Sequence, residues 1–455
     1  MFRLATFLPL LLAAPLWAGD WPQWRGPNFD AVSPEKNLPA GWGEDDDDAD
    51  GEIAWRAELP GPGGGTPVVA AGRLYVTAVD GAGDSAELKL VALDAATGEQ
   101  KWERTLSRGD QTARGDEGNR AAPSCVTDGA RVWATFGDGT VACLTADGGE
   151  VWALNLQDRF GLFDIQFGFS STPVLHDGRL YFQLIHGDGD SATEEARVVA
   201  LDAATGVTVW ERGRVTGATI ENEHSYASPV LNPFADPPTL ITHGADYAIA
   251  HDLTPGADGR ELWRLGGLNP RGADYHRTLR FVASVGVGET PGGPLVVVPT
   301  AKRGPVFAVN AAAAAMRGLL TSSRPIDRGP AVQGTEAVAW KLDRGTPDVP
   351  TPLVHGTEVY LLDEKGVLAC HDSATGGELY RVRTHGGRHR ASPVFADGKL
   401  YLTARDGTVT VAKAGRDYEQ LSQQSFGEPI SASPAVAGGT LFFRTFEAVY
   451  AVRKR

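Results

Sequence analysis

A twelve-residue phrase occurs twice in nearly the same letters: residues 91–102 read VALDAATGEQKW and residues 199–210 read VALDAATGVTVW. An apolar run, a polar turn closed by Thr-Gly and a second run ending on Trp four residues after the glycine spell a β-hairpin, and a hairpin written repeatedly spells a repeat protein. Looser copies stand at 141–152 (VACLTADGGEVW), at 249–263, which ends DGRELW, and at 368–380 (LACHDSATGGELY), with Tyr in the place of Trp. Gly98, Gly206 and Gly376 end turns that call for a positive φ, which glycine takes without steric cost. The recurrent aromatic is large enough to hold one unit to the next, so both features read as packing and not as chemistry.

A second phrase marks where each unit starts. A small residue, a proline and a DGRLY-type hairpin recur as TPVVAAGRLYV from Thr66, APSCVTDGARVW from Ala122, TPVLHDGRLYF from Thr172, SPVLNPFADPPTLI from Ser228, TPLVHGTEVYL from Thr351, SPVFADGKLYL from Ser392 and SPAVAGGTLFF from Ser433. Asp-Gly and Gly-Gly are the turn pairs of tight hairpins, so each unit is two hairpins, or four antiparallel strands. The marker prolines Pro67, Pro123, Pro173 and Pro229 lie 50 to 56 residues apart and Pro352, Pro393 and Pro434 lie 41 apart, whereas the 123 residues from Pro229 to Pro352 hold two units. In the unmarked one, 282–285, 295–299, 306–309 and 338–340 read as its four strands. The count is eight. The last unit ends after 448–452 with three strands, and Ile53, Ala54 and Trp55 form a strand with no unit of its own. Placing that strand in the last sheet closes a ring and protects the sheet edges, as in a β-propeller; an open solenoid would leave Trp55 unpaired. Residues 310–335 carry AAAAAMRGLL, which predicts a short surface helix followed by a loop.

Residues 1–18, MFRLATFLPLLLAAPLWA, have one arginine, an apolar core and a small residue ahead of Gly19, the pattern of a secretory signal peptide. No cysteine follows it, so a lipid anchor is not indicated, and no later run reaches the length of a membrane span. The expected product is exported, periplasmic or secreted. Residues 19–52 form an arm, WPQWRGPNFDAVS from Trp21, whose tryptophans call for burial on the body, and an acidic run, EDDDDADG from Glu44. Asp46, Asp48 and Asp50 with Gly51 have the spacing that opens a calcium loop, but Ala57 stands where the closing glutamate belongs, and a solvated loop is the plainer reading. A net charge of −15 argues against nucleic acid or an anionic membrane as partner.

The ALDAATGxxxW repeat, the SPV starts and the WPQWRGP arm resemble the PQQ-like β-propeller repeat proteins, a family that includes the outer-membrane barrel-assembly lipoprotein and, more distantly, the quinoprotein alcohol dehydrogenases. The resemblance covers nearly all of the chain after residue 18. It implies an all-β fold, an eight-bladed β-propeller of four-stranded antiparallel blades over 53–455 closed by an N-terminal strand, and it speaks for fold more than for function. Quinoprotein members hold pyrroloquinoline quinone (PQQ) at the axis with a calcium ion, an aspartate base and a disulfide between adjacent cysteines. Here Cys125, Cys143 and Cys370 are never adjacent, no CxxCH haem sequence occurs, and neither calcium ligands nor base map onto a position. Cys143 and Cys370 align with Ala92 and Ala200 and read as small buried hydrophobes, so all three cysteines are expected as free thiols. Neither GxSxG nor HExxH occurs, and no catalytic residue is assigned.

The mouth of the central channel remains. With each first strand innermost, the residues three to five before the marker proline lie on loops leading into it, and there the copies diverge. They supply Asn119 and Arg120, Ser170, His224 and Tyr226, and Arg388, His389 and Arg390, with His276, Arg277 and Arg280 ahead of unit five. Arg120, Tyr226, His389 and Arg390 share an offset from their prolines and are expected to converge near the axis as a positive patch. Arginine and histidine gathered in an acidic protein suit an anionic ligand or a partner's carboxylate, while Glu221, Glu223 and Asp274 offer them local pairs instead. Two functions follow: an exported, non-catalytic propeller that binds a protein, peptide or envelope component and needs no cofactor, or an oxidoreductase using PQQ and calcium at an unusual site.

Overall fold

Each copy of the repeated phrase folds around its aspartate. Asp94 Oδ1 accepts the amide hydrogens of Ala96 and Thr97 and the Thr97 hydroxyl, and the Gly98 amide returns to the Asp94 carbonyl with φ at +74°. Asp202 with Thr205 and Asp372 with Thr375 repeat this turn, which a side-chain carboxylate can close because it mimics a backbone acceptor. The strand that follows bulges once before the tryptophan, so that Ala92 faces Trp102 while Leu93 faces Gln100. The same bulge sets Ala200 opposite Trp210, Cys143 opposite Trp152 and Cys370 opposite Tyr380.

The computed structural model describes residues 19–43, 50–110, 118–188, 190, 195–269, 275–312 and 337–455. Their strands make eight sheets, seven with their strands in sequence order from the inside out and the last completed on its outside by a strand from the start of the chain. The first blade is Val68–Ala70, Arg73–Asp80, Gly83–Asp94 and Gln100–Asp110. Short first strands of neighbouring blades touch one another and line the axis. The unmarked fifth blade departs from expectation at its start: its first strand is Gly286–Thr290, paired to Gly293–Val298, and 282–285 is the approach to it. The unit-five insertion falls mostly on 313–336 and the signal-peptide segment on 1–18, both outside the described residues, as are Asp46 and Asp48. Ring closure is made by Gly51–Glu58 on the outside of the last sheet, antiparallel to Ala448–Lys454, with Trp55 opposite Ala451. Among the described residues no helix is long and apolar enough to cross a membrane. The three cysteines are free and buried, and burial pushes their thiols up to about 12.

Blades are joined by the tryptophans. Trp55, Trp102, Trp152, Trp210 and Trp340 each lie over the turn glycine of the next blade, so close that a Cβ there would stand 2.5–2.8 Å from the ring. The indole N–H of Trp102 donates to Ala146 O, that of Trp152 to Ala203 O and that of Trp340 to Ser373 O, each in the next blade. The glycine is therefore required twice, by its φ and by the ring above it.

The arm runs inside the ring over residues 21–33, and residues 38–43 then cross the seventh blade to its outer strand. Trp21 exchanges two backbone hydrogen bonds with Val69 of the first inner strand, and Thr127 of the second donates to Pro22 O. Val32–Ser33 pairs in parallel with Val394–Ala396, adding a fifth strand to the axial side of the seventh blade. Arg25, buried, donates to the carbonyls of Phe29, Asp30 and, in the sixth blade, Pro352. The arm thus occupies the end of the channel where the inner strands finish.

Candidate binding site in the axial channel

Two residues before each inner strand stands a serine or threonine. The amide of Thr66 donates to the Ser124 hydroxyl, Ser124 to Thr172, Thr172 to Ser228, Ser228 to Ser284, Ser284 to Thr351, Thr351 to Ser392 and Ser392 to Ser433, over 2.8–3.1 Å. These hydroxyls form a belt around the axis. Every member is buried, and all eight line a small well of about 130 Å³ that Trp24 of the arm also lines. Two residues farther out lies a second ring, in which Gly64, Ala122, Ser170, Val282, Val349 and Ser431 are joined by Tyr226 and Arg390.

Beyond that ring the well opens into a mouth of about 700 Å³. One wall is aromatic, built from the loop at 161–169: Phe163 and Phe169 lie 4.7 Å apart, and Phe167 meets Tyr226 edge to face at 5.9 Å. The Phe167 amide donates to the Tyr226 hydroxyl, and burial pushes that phenol up to about 12, so it stays protonated at neutral pH. The remaining wall carries Arg120, Arg280, Arg388 and Arg390 together with Asp138, Asp348 and Glu364. Arg280 pairs with Glu221 at 2.8 Å and lies 4.6 Å over the Phe167 ring. Asp138 accepts the hydroxyls of Ser107 and Thr140. The charge of the mouth is mixed, four guanidinium groups against three carboxylates.

Of the residues singled out from sequence, Asn119, Arg120, Ser170, Tyr226, Arg280, Arg388 and Arg390 line this mouth. Histidines do not. His389 is fully buried with Nδ1 against Gly387 O, His224 is buried with Nε2 3.1 Å from Gly187 O, and His276 is exposed, its backbone carbonyl taken by Asn222 and Asn269. Of the four residues expected to converge near the axis, Arg120, Tyr226 and Arg390 line one mouth and His389 does not, and the four do not hold equivalent places, for two reasons. His389 is buried beneath its loop, and Pro123 stands two places earlier than the other marker prolines, so that Ala122, not Arg120, is the counterpart of Tyr226 and Arg390. Arg120 reaches the mouth from a different backbone position, donating from its guanidinium to Gly109 O and from its amide to Asp110. Asp50 is held by the amides of Ala40 and Gly41 and by Lys454. The aromatic loop and the place of Trp24 in the well were not foreseen; the belt was visible as the small residue of the marker, once register is counted from the strand and not from the proline.

A quinone with its calcium ion needs a cluster of carboxylates and cationic groups around the axis. Among the described residues no three of His, Cys, Asp and Glu come together to hold a metal ion, and the base of the channel offers neutral hydroxyls. The base of the channel does not fit that pair, and the charged groups lie in the mouth above it.

Residues 46–182, 137–325 and 330–455 match the family model described as outer membrane protein assembly factor BamB. The chain is 27% identical over 228 residues to outer membrane protein assembly factor BamB of Burkholderia pseudomallei (strain K96243), covering 49% of this chain and 50% of that one. It is 26% identical over 171 residues to a polyvinylalcohol dehydrogenase of a Pseudomonas species, covering 35% and 24%. The chain thus spans half or less of the length of the curated relatives it matches. Among solved structures, quinohemoprotein alcohol dehydrogenase from Comamonas testosteroni superposes with a TM-score of 0.60 at 14% identity over 95% of this chain and 80% of that one. BamB from Moraxella catarrhalis does so with 0.60 at 12% over 89% and 98%. Both likenesses show the propeller fold alone. With eight closed blades and a family match over most of its length, the chain belongs to the PQQ-like repeat family described as outer membrane protein assembly factor BamB.

Proposed function

We propose that this protein is an exported, non-catalytic propeller whose channel mouth docks a partner protein or peptide through a segment that carries an apolar residue beside a carboxylate. The observation behind this reading is the mouth itself, where an aromatic wall faces an arginine-rich one across a cavity open to solvent. Leu162, on the rim loop, is 80% exposed, an apolar side chain placed where a partner would cover it. Arginine pairs with carboxylates in two-pronged geometry and stacks on aromatic rings, which suits it to both walls. The relative named as an assembly factor supports binding over catalysis.

A quinone-dependent oxidoreductase is the second reading, supported by the dehydrogenases that share the fold. One comparison separates the two. Purified protein supplied with the quinone and calcium is expected not to reduce an artificial electron-acceptor dye with simple alcohols or sugars. Fluorescent peptides pairing Leu or Phe with Asp or Glu are expected to bind, and the double change Arg120→Ala with Arg390→Ala is expected to weaken them at least tenfold, since each charge-assisted contact contributes about 1.5–3 kcal/mol. Dye reduction, or peptide binding that ignores both arginines, would refute the docking reading.

A further inference from the structure

We infer that the well at the base of the channel is a binding site for a neutral polyhydroxylated ligand, a sugar ring or the end of a linear polyol. The inference does not depend on a partner docking at the mouth. It rests on what the belt leaves over. Seven of its hydroxyls accept one amide hydrogen from the neighbouring blade, and none of the eight donates its own hydrogen to an acceptor among the described residues. Each is at most 8% exposed and lines the same small space. A hydroxyl is one donor and two acceptor sites, so the belt presents donors and lone pairs alternately around a circle.

That pattern discriminates between ligand classes. An apolar ligand would bury the belt with its hydrogens unmet, which costs about 1–3 kcal/mol for each group left unsatisfied. A carboxylate or phosphate is acceptor-only and would meet the belt's lone pairs as well as its hydrogens, with Arg390 as the one cationic side chain at the well. A ligand whose own groups are hydroxyls both gives and takes, and meets every belt member in whichever sense that member needs. Trp24 completes the match, because the C–H face of a sugar ring lies flat on an aromatic plane. A volume of about 130 Å³ admits one ring, and the mouth above leaves room for a second unit.

The test uses the mature protein with D-glucose, N-acetyl-D-glucosamine and D-sorbitol as probes, followed by saturation-transfer NMR and tryptophan fluorescence. At least one probe is expected to bind. Val349→Phe and, separately, Val282→Phe fill the second ring without altering the belt or Trp24, and each is expected to weaken that probe at least tenfold with an unchanged melting temperature. Cellobiose and chitobiose distinguish the source: tighter binding than the single ring indicates the end of a glycan, weaker binding a free monosaccharide or polyol. The inference is overturned if none of the three probes binds, if both well-filling variants bind as the parent does, or if acetate or phosphate displaces the probe at equal concentration.

Discussion

Gly178 and Gly206 stand in the same blade with nearly equal φ, +68° and +69°, and differ in what lies above them. A Cβ on Gly178 would meet nothing within 4 Å, whereas one on Gly206 would stand 2.8 Å from the Trp152 ring. Gly178→Ala therefore carries only the left-handed backbone penalty, about 1–2 kcal/mol. Gly206→Ala adds the overpacking of an interior contact, typically another 1–3 kcal/mol. Urea unfolding of the two variants is expected to separate them by that second amount, and equal midpoints would show that the ring moves aside without cost. The pair isolates the contact between blades from the turn within one. Sequence revealed the turn requirement at Gly206 through its Asp-x-x-Thr-Gly setting; the ring above it belongs to the preceding repeat and is reached only through the fold.

At the level of elements, the arm is held by backbone pairing at Trp21 and Val32–Ser33 and by the buried polar contacts of Arg25. Arg25 donates to three carbonyls, and burial pulls its guanidinium down to about 10 while burial raises Asp30 to about 6. Arg25→Ala leaves those carbonyls without their donor inside the ring, and each buried group left unsatisfied costs about 1–3 kcal/mol. The expected result is faster hydrogen exchange at the Trp21 and Val69 amides, which bond across the arm and the first blade, with the outer strands unaffected. Uniform protection throughout would show that the arm does not depend on Arg25. The body of the fold was legible because the repeats restate it: eight units, the orphan strand at Trp55 and the alignment of Cys143 and Cys370 with alanine all follow from periodicity. The arm has no second copy, so nothing in the sequence says which side of the ring it takes. The candidate site was half legible for a related reason. Offsets from a proline place a backbone, but whether His389 faces the axis or turns beneath its loop depends on contacts with residues such as Glu364, whose carbonyl takes the His389 amide.

Across the whole molecule, buried histidines set the response to acid. Burial holds His243 down to about 3 and His186, His251 and His389 down to about 4. Their ordinary value in an unfolded chain is about 6.5, so unfolding takes up protons below that pH. Their contribution to stability is full above the unfolded value and is lost as pH falls from there toward 4, by up to ~2 kcal/mol per histidine between pH 7 and 5. Asp30 works the other way, its raised pKa favouring the folded state as pH falls through 6, and burial raises Glu195 in the same sense, whereas burial also lowers His176, His355 and His371 alongside the four. Denaturant midpoints are expected to fall from pH 7 to pH 5, and a flat or rising profile would contradict the burial of these rings. The placement of the arm carries a last consequence, which concerns order in time. Because Trp24 and its neighbours close one end of the ring, whatever reaches the belt arrives and departs past Tyr226 and Arg390. If the two guests proposed above for mouth and base both bind, they load in sequence, the deeper one first, and the shallower one acts as a latch that lengthens the residence of the deeper.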